Sequence, residues 1–196
     1  RTIIATFADD TVIMSAAENL TTAINTLQTH INTITEWFNT WGIKINENKT
    51  IGTIYTNKRI TNTHPTIKIN GEPIGIEKHA KYLGINIDDK LTWKIHILKI
   101  KKQLQHKTRQ LYWIIGPKST LSLNNKLLIY KSIIKPIWTY GLQGWGTACD
   151  TNIKTIEQQQ CKITQHNNNE INKLPEIERN TVRRLNKKRP IGLVLV

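Results

Sequence analysis

Two adjacent carboxylates near the start of the chain are the residues best suited to chemistry. Asp9 and Asp10 lie between two apolar, β-prone segments, residues 2–7 and 11–14. This pattern predicts a tight β-hairpin with both acids at its turn. Paired acids repel each other unless a cation neutralises them, and their hard oxygen atoms suit Mg²⁺. Two-metal phosphoryl transfer uses such acids, although aspartates that only initiate a bend fit the same pattern.

A long amphipathic helix is expected to support this hairpin. Ser15 and Glu18 have the spacing of a capping box at its start, and Gly42 ends it. Between them, apolar residues recur at alternating steps of four and three, which predicts one helix packed on the hairpin sheet. These residues are Leu20, Ile24, Leu27, Ile31, Ile34, Phe38 and Trp41.

Short strands are expected after the helix, over residues 43–45, 51–55 and 82–87. Asn70-Gly71 is the strongest hairpin signal in the chain, and residues 88–90 form a turn that closes this part. The first part of the chain is therefore expected to be an α+β domain.

The pattern becomes helical beyond residue 90. Helices are expected over residues 93–115, over 122–135 with Pro136 as the stop, and over 152–165. Residues 166–196 are polar and basic and contain too few apolar residues to fold alone. This part is expected to be a helical domain followed by a basic, flexible tail.

The charge of the chain points to a polyanionic partner. The formal net charge is +14 and the pI is near 9.9, and no acidic residue lies between Leu91 and Cys149. Aromatic residues interleave with the basic ones, and core packing is favoured over base stacking for most of them: Trp93, Tyr112, Trp113, Trp138 and Trp145. The basic residues predicted to contact nucleic acid are Lys94, Lys99, Lys101, Lys102, Lys107 and Arg109.

Several other classes of protein are disfavoured. Cys149 and Cys161 have no partner at zinc-finger spacing, so neither a metal site nor a disulfide is expected there. No apolar run is long enough for a membrane span, and no secretion leader opens the chain. The first residue is Arg1 rather than Met, which suggests a fragment.

Several segments resemble one protein family, in the order of that family. Residues Phe7-Ala8-Asp9-Asp10 look like the F/Y-A-D-D box of reverse transcriptases, and residues 41–50 resemble the next palm motif of non-LTR retrotransposon and group II intron enzymes. Residues 82–96 resemble the primer-grip strand and the entry to the thumb. Residues 126–146 are similar to the segment that follows in jockey-type elements of arthropods, and residues 183–190 to the basic end of their reading frame.

The resemblance implies an RNA-directed DNA polymerase of a jockey-like non-LTR retrotransposon. It implies a partial palm over residues 1–89, a helical thumb with its following region over 90–165, and the basic tail over 166–196. The implied partners are an RNA template, a DNA primer and deoxynucleoside triphosphates, in the nucleus and in cytoplasmic ribonucleoprotein, with no membrane. The oligomeric state is left open.

The same resemblance implies roles for single residues. Asp9 and Asp10 would bind Mg²⁺, with Asp9 the stronger ligand, and Lys49 would face the phosphates of the incoming nucleotide. Tyr82, Leu83 and Gly84 would form the primer grip. A solvated loop lysine at position 49 and a plain core strand at 82–84 fit the same residues.

The chain also departs from the family. A reverse transcriptase palm needs a further carboxylate from an upstream strand, and no acid precedes Asp9; Asp88 and Asp89 belong to a turn and are not nominated as replacements. We therefore expect no synthesis by this chain alone. The alternatives are a nucleic-acid-binding protein without chemistry and an interaction scaffold built on the long helix, whose binding would depend only weakly on salt.

Overall fold

The computed structural model describes residues 2–56, 65–165 and 192–195. They form two compact units that divide between Leu91 and Thr92, and the short strand at 192–195 belongs to the first unit. The described chain mixes helices with antiparallel strands, in agreement with the α+β class. The predicted tail over 166–196 lies outside the described residues apart from that strand. Within the described ranges, no helix combines the length and the apolar character that crossing a membrane requires.

In its described residues, the first unit has three small antiparallel sheets and one long helix. The strands are β1 (Thr2–Phe7), β2 (Asp10–Ala16), β3 (Gly52–Tyr55), β4 (Lys68–Ile69), β5 (Glu72–Pro73), β6 (His79–Tyr82), β7 (Ile85–Asp88) and β8 (Gly192–Leu195). The largest sheet has the order β1-β2-β8-β3, and β4 pairs with β5 and β6 with β7. The predicted hairpin over the first two strands is confirmed.

The long helix α1 runs over Leu20–Thr40, and its predicted end is confirmed. Gly42 has a φ of 66°, and the amide of Ile43 donates to the carbonyl of Phe38 at 2.8 Å, which closes the last turn in the usual glycine-dependent way. The predicted capping box is wrong. Ser15 pairs with Thr2 in the sheet and is buried, because β2 continues to Ala16 and leaves Asn19 as the N-cap.

The core of the first unit lies between α1 and the strands. It is built from buried isoleucines and a leucine, and each such side chain contributes about 1.5–3 kcal/mol when fully buried: Ile13, Ile24, Leu27, Ile31, Ile54, Ile67, Ile69 and Ile74. Trp41 was predicted on the same apolar face, but 68% of it is exposed. Trp41 is the C-cap residue beyond the end of α1 at Thr40, so the helix does not hold it on the face that packs on the sheet.

Two of the predicted strands after α1 are wrong. Residues 43–45 form no strand, because they follow directly from the closing turn of the helix into a turn that begins at Asn46. Residues 82–87 are not one strand but the end of β6, a two-residue loop and β7. Leu83 and Gly84 have φ values of 46° and 78°, the left-handed conformation that such short hairpin loops require. The Asn70-Gly71 hairpin is confirmed, with φ values of 50° and 86°.

The second unit is helical. Its elements are α2 (Lys94–Ile115), α3 (Leu123–Ile129), a π-helical turn (Tyr130–Ile134), α4 (Lys135–Thr139), α5 (Leu142–Trp145) and α6 (Asp150–Gln165). Helix α2 packs against α4 and α6. On α2, Ile97, Ile100 and Leu104 are almost fully buried. The indole nitrogen of Trp93, also buried, donates to Oγ1 of Thr147 at 3.2 Å and connects the start of α2 to the region before α6.

Pro136 does not stop the second predicted helix. It lies in the first turn of α4, directly after the π-helical turn. In the π turn before it, the amide of Lys135 donates to the carbonyl of Tyr130, and this wider turn relieves the clash that proline causes in a continuous α-helix. The helix therefore continues through the proline to Thr139.

Candidate metal-binding turn and nucleic-acid interface

Asp9 and Asp10 lie at the tip of the β1–β2 hairpin. Phe7 and Asp10 form the last pair of the ladder, so Ala8 and Asp9 make the two-residue loop. Ala8 has a φ of 52°, a left-handed conformation that costs roughly 1–2 kcal/mol for a residue with a Cβ. Backbone strain of this kind is concentrated at functional sites. The tight turn therefore presents two adjacent carboxylates at a conformational cost.

Both carboxylates are exposed and accessible to an ion or a phosphate. Across the part of the chain that the structure describes, no group of three or more Asp, Glu, His or Cys residues could hold a metal ion. Mg²⁺ in proteins is often bound by one or two carboxylates, with waters and substrate phosphates as the other ligands. The pair at the turn therefore fits a single hard cation that brings its other ligands with it, but it does not by itself fix two ions.

Lys49 lies at the same end of the sheet as this pair. Strand β8 pairs Leu195 with Ile13 of β2 on one side and with Gly52 of β3 on the other. Asp10 comes three residues before Ile13, and Lys49 comes three residues before Gly52. Since β2 and β3 are both antiparallel to β8, they run in the same direction, about 10 Å apart. The register thus brings an exposed ammonium to the end of the sheet that carries the two acids.

The turn that contains Lys49 is anchored to a neighbouring hairpin. The Glu47 carboxylate accepts a hydrogen bond of 2.8 Å from Nδ2 of Asn70, and this bond lowers the pKa of Glu47. The amide of Lys49 donates to the carbonyl of Asn46 at 3.1 Å. These two contacts hold the loop before β3. Glu47 was missed by the sequence analysis, since no local pattern indicates its partner 23 residues further along.

The second pair of acids, Asp88 and Asp89, lies at the other end of β3. Burial raises the pKa of Tyr55 to about 12, and the nearby carboxylates of Asp88 and Asp89 act in the same direction. Tyr55 is the last residue of β3, and Gly52, its first residue, faces the end with Asp10. Asp88 and Asp89 therefore lie away from the end of the sheet that carries Asp10.

The residues predicted as a primer grip lie at the tip of another hairpin. Tyr82 pairs with Ile85, and Leu83 and Gly84 form the loop between β6 and β7. The segment therefore offers a tight turn rather than the continuous strand that was expected.

Helix α2 carries an exposed stripe that combines apolar and basic side chains. Its members recur at helical spacing, opposite the buried face of the helix. They are Ile95, Leu98, Lys102, Arg109 and Trp113. We call these five residues the α2 stripe.

The six basic residues predicted on α2 do not share one face. Lys94, Lys102 and Arg109 are exposed, whereas Lys99, Lys101 and Lys107 are half-buried. Lys107 lies close in helical phase to the buried Ile100, and its Nζ donates to Oε1 of Gln110 at 3.3 Å. Within α2, the cations most available to a phosphate are therefore those at positions 94, 102 and 109.

The aromatic residues of the second unit divide into two groups. Trp93, Trp138 and Trp145 are buried, which agrees with core packing for most of the five. Tyr112 and Trp113 are the exceptions, with exposed fractions of 52% and 77%. The spacing of four between Arg109 and Trp113, which puts both on one helix face, was the signal that sequence reasoning overlooked.

The Lys126 side chain stabilises the segment just after α2. Its ammonium donates hydrogen bonds to the carbonyls of Gly116 and Ser119, at 3.2 and 3.1 Å, and so satisfies these backbone groups. The basic character of this unit is therefore only partly available for binding.

Comparison with known proteins agrees with these features. Residues 1–87 match the family model described as reverse transcriptase (RNA-dependent DNA polymerase). The chain is 38% identical over 163 residues to a probable RNA-directed DNA polymerase from transposon X-element of Drosophila melanogaster, and 35% identical over 160 residues to the RNA-directed DNA polymerase from mobile element jockey of the same species. These matches cover 83% and 82% of this chain, but only 18% and 17% of the relatives. No solved structure matches the chain.

The family model and the Asp9–Asp10 turn define the class of protein: the chain belongs to the reverse transcriptases. Within that class, the similarity covers more residues than the first unit contains, so it extends into the helical unit. The relatives that carry this similarity are polymerases of jockey-type and X-element transposons. The chain is a non-LTR retrotransposon reverse transcriptase sequence, and it spans less than a fifth of the length of these relatives.

Proposed function

We propose that the chain is the C-terminal palm and the thumb of an RNA-directed DNA polymerase. The observation that carries this proposal is the exposed Asp9–Asp10 turn inside the segment that matches reverse transcriptases. In this proposal the first unit is palm and the second is thumb, and Asp9 is the main metal ligand with Asp10 beside it. Mg²⁺ bound there would stabilise negative charge on the phosphates during nucleotidyl transfer.

Other residues of the first unit would orient the substrates. Lys49 would neutralise phosphate charge of the incoming deoxynucleoside triphosphate, since the register of β2, β8 and β3 brings it to the same end of the sheet as Asp10. The backbone of the turn at Tyr82, Leu83 and Gly84 would hold the primer end.

The RNA template and the DNA primer would lie along α2. Lys102 and Arg109 are seven residues apart and face the same way, so they would contact successive phosphates, with Lys94 exposed at the start of the helix. Lys99, Lys101 and Lys107 are half-buried and would add to the attraction at longer range. The absence of any acidic residue between positions 91 and 149 in the sequence supports a polyanion here. By family, the complex would reside in the nucleus and in cytoplasmic ribonucleoprotein.

A second candidate is a nucleic-acid-binding protein without chemistry of its own. It is favoured by one observation: in residues 2–56, 65–165 and 192–195, no third metal-ligating side chain joins Asp9 and Asp10. For a chain of these 196 residues alone, we expect this second role.

Primer extension separates the two candidates. The chain alone, given Mg²⁺, template RNA, primer and deoxynucleoside triphosphates, is expected to bind nucleic acid without extending the primer. The same chain fused behind the preceding palm and fingers of a jockey-type relative is expected to extend it. Asp9→Asn in the fusion should abolish synthesis and leave RNA binding unchanged, because it removes a metal ligand and not a phosphate contact.

Asp89→Asn is the matched control, since it removes the same charge at the other end of β3 and should preserve synthesis. Synthesis by the fusion that survives Asp9→Asn would exclude the proposed metal site. Extension by the chain alone would exclude the second candidate.

A further inference from the structure

The central position in the largest sheet is filled by a segment from the far end of the chain. Strand β8 pairs antiparallel with residues 13–16 of β2 on one side and with all of β3 on the other. Its sequence is Gly-Leu-Val-Leu, which carries no charge and no group for chemistry. No other described strand lies between β2 and β3. The integrity of this sheet therefore depends on four residues that are distant in sequence from both neighbours.

Without β8, the inner edges of β2 and β3 would lack partners. The two strands are separated by two strand spacings, about 10 Å, which is too far for them to pair with each other. With β8 in place, Ile13, Ser15 and all four residues of β3 are buried. Without it, the unpaired amides and carbonyls of both edges would form a template for pairing with another extended segment. The gap therefore has the properties of a binding site for an extended peptide.

We propose that the gap between β2 and β3 is a strand-acceptor site and that Gly192–Leu195 is its exchangeable intramolecular occupant. Recognition comes from two backbone ladders, so the site takes an extended, uncharged, apolar strand antiparallel to both neighbours. The occupant makes only four residue pairs on each side. Twenty-six residues separate it from the end of α6 in the sequence, and a covalently connected ligand acts at an effective concentration on the order of millimolar. A free peptide at comparable concentration therefore competes for the site.

This site has a consequence for the proposed polymerase, and the consequence rests on that function. Strand β2 begins at Asp10 and has only two edges, one paired with β1 and the other with β8. An upstream strand that pairs with β2 on the side away from β1 must therefore replace β8. If the further carboxylate comes from such a strand, the C-terminal strand and the complete metal site exclude each other.

Cross-linking in the folded chain tests whether the occupant is in place. Met14 and Val194 are direct partners across β2 and β8. In a chain that also carries Cys149→Ser and Cys161→Ser, the double variant Met14→Cys/Val194→Cys is expected to form an intramolecular disulfide, because directly opposed Cβ atoms are close enough. Ser15→Cys/Val194→Cys is the control, since adjacent strand residues face opposite sides of the sheet and should not cross-link. Equal cross-linking of both pairs, or cross-linking only between molecules, would overturn the proposal.

Hydrogen exchange tests the exchangeability. In the full chain, Val194→Pro removes an amide from a central strand, and amides of residues 13–15 and 53–55 should lose protection at least tenfold, whereas those of α2 should not. Val194→Thr keeps the amide and should preserve protection. A millimolar peptide with the sequence of residues 191–196 should restore protection in Val194→Pro, and the same peptide with proline at the fourth position should not. Unchanged protection in Val194→Pro, or a loss that the peptide does not reverse, would refute the acceptor site.

The cross-linked chain provides a measurement that does not depend on the proline variant. Oxidised Met14→Cys/Val194→Cys should not bind a fluorescent peptide of residues 191–196, and the same protein after reduction should bind it. Binding of the peptide by the oxidised form would place the peptide elsewhere and contradict the proposal.

Discussion

Replacing Lys102 and Arg109 together by glutamine should weaken nucleic-acid binding and make its affinity depend less on salt. Both side chains are exposed on the same face of α2, which no acidic residue shares. Each phosphate that a cation neutralises releases condensed counterions, so each contact contributes about 0.9 to the slope of log affinity against log salt on duplex DNA. Two lost contacts should lower that slope by about 1.8.

The size of the effect can be worked from this slope. Raising salt fourfold, for example from about 50 to about 200 mM, costs the parent chain a further factor of roughly ten in affinity compared with the double variant. The effect should be similar for unrelated sequences, because phosphates carry no sequence information. Fluorescence anisotropy with two duplexes of different sequence, titrated at several salt concentrations, measures both quantities.

A matched control separates local contacts from overall charge. Lys107→Gln combined with Lys154→Gln removes the same total charge from the same unit, but Lys107 is half-buried and bonded to Gln110, and Lys154 lies on α6. This control should retain the slope of the parent chain. If both double variants reduced the slope equally, binding would depend only on net charge, and the assignment of a binding face to α2 would be refuted.

Three further predictions concern the second unit. Trp113→Ala should weaken single-strand binding by about 1–3 kcal/mol through lost stacking, with Trp113→Phe intermediate; because 77% of the side chain is exposed, thermal unfolding should hardly change, and undiminished binding would exclude stacking. Lys126→Met should lower the free energy of unfolding by about 1–3 kcal/mol in urea titrations, since two carbonyls lose their donor, whereas exposed Lys131→Met should not, and equal effects would contradict the capping role. Burial, with the Lys99 ammonium, lowers the pKa of His96 below 6.5, so its contribution to stability is present above pH 6.5 and is lost as pH falls through the folded-state pKa; His96→Gln should flatten this part of the stability profile, and an unchanged slope would contradict it.

Local sequence patterns were sufficient where the physical cause is local. The β1–β2 hairpin, the end of α1 at Gly42 and the Asn70-Gly71 turn all follow from interactions between residues a few positions apart. The same holds for the two aspartates, whose residue type and turn position indicate a metal ligand before any contact is known. The helix over 94–115 also follows from its periodicity and from the Gly116-Pro117 stop.

Local patterns were insufficient where two interpretations differ only in what packs nearby. Ser15 has capping-box spacing, but pairing with Thr2 keeps it in the sheet. Proline usually stops a helix, but at Pro136 the preceding π turn lets the helix continue. Trp113 is as apolar as the buried tryptophans, and only the side of α2 that meets α4 and α6 decides which of them is covered.

The amino-acid sequence by itself therefore determined the composition of the candidate site and most of the elements that carry it, because turn chemistry and hydrophobic period act over short distances. Only the tertiary structure decided how distant segments meet. It set Lys49 at the end of the sheet with Asp10, and it inserted Gly192–Leu195 between β2 and β3. The sequence of a strand of four uncharged residues does not show which strands it will pair with, because backbone hydrogen bonds are the same for every sequence. Its register depends on the surfaces that the whole fold buries.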